Sequence, residues 1–205
     1  MTQTSIFLVG FLLFLIVALF FPLLRKKNDF VAINRLVFFT TTVSYAVLIT
    51  GVGVFASPLG DPIYPTRWLF YILSCGLLMY EIARILNKTK IETVEMIVLN
   101  SIVMLTGFLA SIILAPYKWI FFILSSLAFI IILKIIHKNS AKDNKFIKQI
   151  RWYVTITWSF FPIIWLLAPT GFEILTPAIT ALMYLLLDFI TKIIFGYYTV
   201  TSQAK

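Results

Sequence analysis

The chain has 205 residues, 61% of them hydrophobic and 12% charged, and a mean hydropathy of +1.00. No soluble domain of this length hides so much apolar surface, so a polytopic membrane protein is expected. One cysteine and one histidine exclude a disulfide framework and argue against a Cys- or His-ligated metal, while the formal charge of +9 would suit nucleic acid if it were not spread as described below.

Seven apolar runs of spanning length follow one another, roughly at 5–24, 30–54, 67–86, 92–114, 118–136, 150–167 and 174–200. The first resembles a secretory signal, but it lacks a basic start, is long, and ends in Arg25, Lys26 and Lys27; it is expected to stay as a span. Connections are short and marked by Pro and Gly, at residues 57–66, 115–117 and 168–173. Little chain is left outside the membrane, so residues 1–205 read as one membrane domain, with no internal repeat.

The basic residues fix an orientation. Arg25, Lys26 and Lys27 lie after run one, Arg35 lies near the start of run two, and Arg84, Lys88 and Lys90 lie at and after the end of run three. Lys134, Lys138, Lys142, Lys145, Lys148 and Arg151 surround the fifth connection, and Lys205 closes the chain. All fall on one side, against only Arg67 and Lys118 on the other. The positive-inside rule puts the rich side in the cytoplasm and the N-terminus outside. The charge is a topology signal that faces anionic lipid heads, and no nucleic-acid partner is expected.

Three runs carry residues with chemistry. In the third, Glu81 taken alone reads as an acid near the interface that pairs with Arg84 or Lys88. In the sixth, Trp158, Phe161 and Trp165 fall on one helical stripe, and Pro162 frees a backbone carbonyl. That stripe is either aromatic core packing or a flat wall for a polyene. In the seventh, Asp188 and Lys192 stand four residues apart, about 6 Å on one face. Each charge costs about 2.5–3.5 kcal/mol in hydrocarbon, so the two need a mutual reason. One is a structural ion pair. The other is a desolvated lysine that condenses with a carbonyl, with the acid as its partner. The stretch alone leaves both open.

Seven spans, a lysine in the middle of the last, and Trp158, Phe161, Pro162 and Trp165 in a W-x-x-F-P-x-x-W pattern resemble a microbial rhodopsin. The resemblance covers all seven spans. It implies the type I rhodopsin fold, an all-α seven-helix bundle with all-trans retinal in covalent Schiff-base linkage to Lys192. The pocket would be walled by Trp158, Phe161, Pro162, Trp165, Tyr71, Gly107 and Ser126, with Thr106, Trp119, Phe122 and Ser125 near its far end. Tyr45 matches a tyrosine that supports the seventh-span aspartate. Thr170 and Thr180 stand where outward pumps commonly keep two glutamates, and Glu173 reads as a solvated loop acid.

On the third span, the family's diagnostic positions are Phe70, Ser74 and Glu81, where outward proton pumps commonly carry Asp, Thr and Asp. This set, with Cys75, resembles the schizorhodopsins, which are inward proton pumps related to the Antarctic rhodopsins. The resemblance implies a transporter rather than an enzyme, a homotrimer, and a multi-pass place in an archaeal or other microbial plasma membrane. With Phe70 uncharged, Asp188 is left as the counter-charge of Lys192, and Arg67 is expected to hold Asp188 ionised. Glu81, about 10 Å from Ser74 along the axis, would accept the proton or attract it toward the cytoplasm. Other readings on the same seven helices are a photosensor, a light-gated channel, and a transporter or receptor without retinal.

Overall fold

The computed structural model describes residues 2–24, 29–57, 60–138 and 144–202. Arg25, Lys26, Lys27, Lys142 and Lys205, used above for orientation, lie outside the described residues, as do residues 58 and 59 of the first long connection. Seven helices long and apolar enough to cross a membrane are present, so the chain is a multi-pass membrane protein. They are α1 (Gln3–Phe20), α2 (Asp29–Thr50), α3 (Pro65–Ile85), α4 (Lys90–Ile112), α5 (Lys118–His137), α6 (Lys145–Leu167) and α7 (Pro177–Ser202). A 3-10 turn, Phe21–Leu24, follows α1. Neighbours in sequence pack on one another, and α7 closes the ring by packing against α1, α2 and α6.

Local chemistry explains where the ends depart from the hydropathy boundaries. Thr89 and Glu92 form a reciprocal capping box that starts α4. Asn144 accepts from the Ile147 N–H, so α6 begins at Lys145 rather than near 150, and its first turns are basic. The second run was expected to continue to 54. Gly51 and Gly53 take positive φ instead, α2 stops at Thr50, and a short antiparallel hairpin pairs Phe55 with Ile63 and Ala56 with Pro62. Phe55 sets its ring edge-on to Phe108 of α4, which fastens the hairpin to the bundle.

The end of the bundle that carries Arg84, Lys88 and Lys138 is tied together by charge. Lys88 Nζ and Arg151 Nη2 both donate to the Lys138 carbonyl, at 2.8 and 3.2 Å, and Lys138 Nζ reaches Glu92 at 2.9 Å. That contact holds the Lys138 ammonium above its ordinary value. We call this the basic end. The outer faces carry exposed Leu, Ile, Val and Phe on every helix, the surface that hydrocarbon would solvate. The interior is the unusual part, because Asn34, Glu81, Arg151, Asp188 and Lys192 are all buried in it.

Candidate functional site

Lys192 and Asp188 meet at the centre of the bundle. Nζ lies 2.7 Å from Asp188 Oδ1, with both side chains almost wholly buried. The other oxygen, Oδ2, accepts from Tyr45 of α2 at 2.8 Å and from Tyr71 of α3 at 3.0 Å. The Nζ also sits 4.5 Å from the centroid of the Tyr71 ring, a cation–π distance. Two phenols from two other helices thus support one buried charge pair.

The backbone is irregular at this point. Residues Phe189–Ile194, which include Lys192, form a π turn, and Phe195 N–H reaches back to the Ile190 carbonyl. That carbonyl also accepts from Tyr153 of α6 at 2.6 Å. A π turn inserts one residue into the helix and is frequent at functional sites. Nothing in the hydropathy of this stretch announces it.

An apolar cavity lies beside the pair, between α3, α4, α5 and α6. Of the residues expected to hold retinal, Tyr71, Gly107, Ser126, Trp158, Phe161, Pro162 and Trp165 all line it, and Cys75 and Arg67 do so as well. Phe122 stacks on Trp165 at 4.7 Å and Phe161 on Tyr184 at 6.2 Å, which makes flat walls. A Cβ built on Gly107 would come within 2.9 Å of the Trp68 ring, so a glycine keeps that wall open. Lys192 is not itself among the lining residues, but Tyr71 is, and Tyr71 covers its Nζ. This shape and the buried amine fit a polyene attached at Lys192.

Sequence reasoning missed several lining residues. Trp68 falls on the face of Tyr71 and Cys75, and Asn100, Val103 and Met104 on that of Gly107. The i, i+3, i+7 spacing from these expected residues was the available signal. Ser125 and Phe122 line the cavity as expected. Trp119 instead packs edge-on behind Phe122 and Trp165, and Thr106 turns back to its own helix at the Ile102 carbonyl.

On the third span, Arg67 and the reading of Glu81 taken alone differ from expectation. Arg67 does not ion-pair with Asp188. Its guanidinium lies over the Phe7 and Tyr184 rings, at 5.4 and 5.0 Å from their centroids, because the phenols of Tyr45 and Tyr71 already occupy Oδ2. Phe70 and Ser74 do not line the cavity; the Ser74 hydroxyl donates to the Phe70 carbonyl at 2.8 Å. Glu81 pairs with neither Arg84 nor Lys88. Arg84 turns to Asp29 at 3.7 Å, whereas Glu81 is fully buried.

The Glu81 carboxylate is held by uncharged donors. Asn34 Nδ2 lies 2.9 Å from both oxygens, and Thr199 Oγ1 donates to Oε1 at 2.7 Å. Thr199 follows Lys192 by two helical turns, about 10 Å, on the side of the basic end. Asp188 precedes Lys192 by one turn on the opposite side. The lysine therefore stands between two carboxylates, one in contact and one remote. Thr180 is buried near the start of α7 and Glu173 is exposed in the preceding loop.

Comparison with known proteins agrees with this architecture. A family model described as bacteriorhodopsin-like protein matches residues 1–205. The crystal structure of schizorhodopsin 4 is 44% identical, covers 97% of this chain and 98% of its own, and superposes with a TM-score of 0.90. Sensory rhodopsin-2 of Natronomonas pharaonis is 27% identical over 171 residues, 79% of this chain and 71% of that protein. A thermophilic rhodopsin from Rubrobacter xylanophilus has the same fold, with a TM-score of 0.89 at 22% identity over 98% of this chain and 96% of that one.

Proposed function

The chain belongs to the bacteriorhodopsin-like family, whose members carry retinal on a lysine, and we propose that it is a light-driven inward proton pump. Its 44% identity to schizorhodopsin 4 supports that branch of the family. The observation that carries the reading is the arrangement of acids around Lys192. Asp188 is in contact with it, Glu81 is remote toward the basic end, and Phe70 stands where outward pumps commonly have an acceptor.

Lys192 Nζ would hold all-trans retinal as a Schiff base, and the bound group would supply the response to light. Everything else is the work of side chains. While Nζ holds its proton it is a cation in a buried site, and Asp188 balances it in place. Tyr45 and Tyr71 both donate to Asp188 Oδ2, so that oxygen is already occupied, while Oδ1 faces Lys192. Arg67, one shell further out, adds positive potential from the same side. The Nζ proton therefore has its free acceptor, or its attracting charge, at Glu81. Trp158, Phe161, Pro162 and Trp165 wall the cavity against water and fix the axis of the bound polyene. Ser74 and Cys75 stand between the lysine and Glu81 along α3.

With the basic end in the cytoplasm, the N-terminus lies outside and release at Glu81 is inward. We place the whole chain, residues 1–205, in one retinal-binding unit that works as a transporter and not an enzyme. A homotrimer in a microbial plasma membrane is expected from the resemblance to its family. A photosensor is the second reading, favoured by the 27% identity to sensory rhodopsin-2. Reconstitution separates the two. The apoprotein with all-trans retinal should form a visible band, and vesicles containing it should change internal pH in light. A band with a photocycle but no net transport would favour the sensor.

A further inference from the structure

Asn34 belongs to no motif of the sequence, yet it is wholly buried on α2 and reaches across to α3. Its Nδ2 lies 2.9 Å from each Glu81 oxygen and 2.9 Å from the Phe30 carbonyl one turn back. An amide nitrogen has two protons. One ties the side chain to its own helix, and the other is shared between the two oxygens of the acid. Thr199 holds the acid from α7 and donates also to the Gly196 carbonyl at 3.1 Å.

Gly196 makes the contact sterically possible. A Cβ built there would collide with Oδ1 of Asn34 and come within 3.1 Å of the Phe38 ring. Its backbone is ordinary helix, without the positive φ found at Gly51, Gly53 and Gly60. Conformational freedom is therefore not why this residue is glycine; clearance is.

We propose that Asn34 is a positioning residue that aims the Glu81 carboxylate, and that Gly196 is glycine to leave room for it. The inference rests on the reading of Glu81 as the acid that draws the proton. A carboxylate on a flexible stem in an apolar bundle gains a fixed rotamer from a donor bound to both of its oxygens. The amide does this without a charge of its own. A lysine there would neutralise the acid, and an aspartate would repel it. Without the donor, a buried anion keeps Thr199 alone and is free to swing.

The test is a double-mutant cycle on retinal-loaded protein in vesicles. It reads the rate of flash-induced proton release per pigment, the absorption maximum and the thermal bleaching temperature. Asn34→Leu and Gly196→Ala should each slow release about tenfold, the scale of one charge-assisted hydrogen bond, with the absorption maximum unchanged. In an Asn34→Ala background, Gly196→Ala should add no further loss, because no amide remains to be displaced. A purely structural role would lower the bleaching temperature without slowing release. Should Asn34→Leu form no pigment, Asn34→Ser, which is smaller than the native residue, carries the same expectation. Parent-like release in these variants beside a silent Glu81→Gln, or losses that multiply in the double variant, overturns the role of Asn34. Parent-like release in Glu81→Gln overturns the underlying reading of Glu81 instead.

Discussion

Lys192 Nζ and Asp188 Oδ1 lie 2.7 Å apart, one helical turn from each other on α7 and out of contact with solvent. Lys192 is the one lysine among the buried residues described, so among the described residues no other amine is placed to carry retinal. Lys192→Ala should give no visible band when all-trans retinal is added to the apoprotein. A retained pigment band in that variant would move the attachment site elsewhere.

Asp188→Asn replaces the counter-charge by a neutral group of the same shape. Breaking a buried pair in this way costs about 3–5 kcal/mol, because the cation stays where it is. The expected outcome is a strong change of colour in the reconstituted pigment. An absorption spectrum identical to the parent's would mean that another group balances Lys192.

Tyr45 should have a smaller effect, about 1.5–3 kcal/mol for one hydrogen bond to a charged acceptor. Tyr45→Phe keeps the ring and removes the 2.8 Å contact to Asp188, so its colour shift should be well below that of Asp188→Asn. Gly10→Ala should resemble it. A Cβ at Gly10 would come within 2.6 Å of the Tyr45 ring and push the phenol off the acid. Matching spectra of Gly10→Ala and the parent would show that Tyr45 tolerates the displacement.

Much of this site was legible from residue types and spacing. The acid and the lysine four apart meet, and Trp158, Phe161, Pro162 and Trp165 line one cavity. What was not legible depends on contacts between distant helices. Arg67 looked like a partner for Asp188, and Tyr45 was expected beside that acid by resemblance, but sequence cannot show that Tyr71, 117 residues away, reaches the same oxygen. Asn34 gave a faint signal, as an amide in an apolar span that needs a buried polar partner. Only the packing of α2 on α3 identifies that partner as Glu81. The π turn at Lys192 had no sequence signal, because the same apolar residues suit an ordinary helix.

Gly107 tests the cavity itself. Its missing side chain keeps the wall clear of Trp68, so Gly107→Leu should fill the space a polyene needs. Retinal binding should be slower and weaker, read as the rise of the visible band after addition, while the helical content of the apoprotein is unchanged. Uptake at the parent's rate would place the polyene outside this cavity.

The proposed direction of transport rests on where the acids stand. Asp188 is committed to Lys192 and two phenols, and Glu81 is held by neutral donors nearer the basic end. Glu81→Gln should therefore stop most transport and leave the colour nearly intact, since the site is two turns from the lysine. The most direct measurement is the pH of an unbuffered suspension of retinal-supplied cells under illumination. Proton uptake should turn the medium alkaline, and a protonophore should cancel the change; light-driven acidification removed by the protonophore would contradict inward transport.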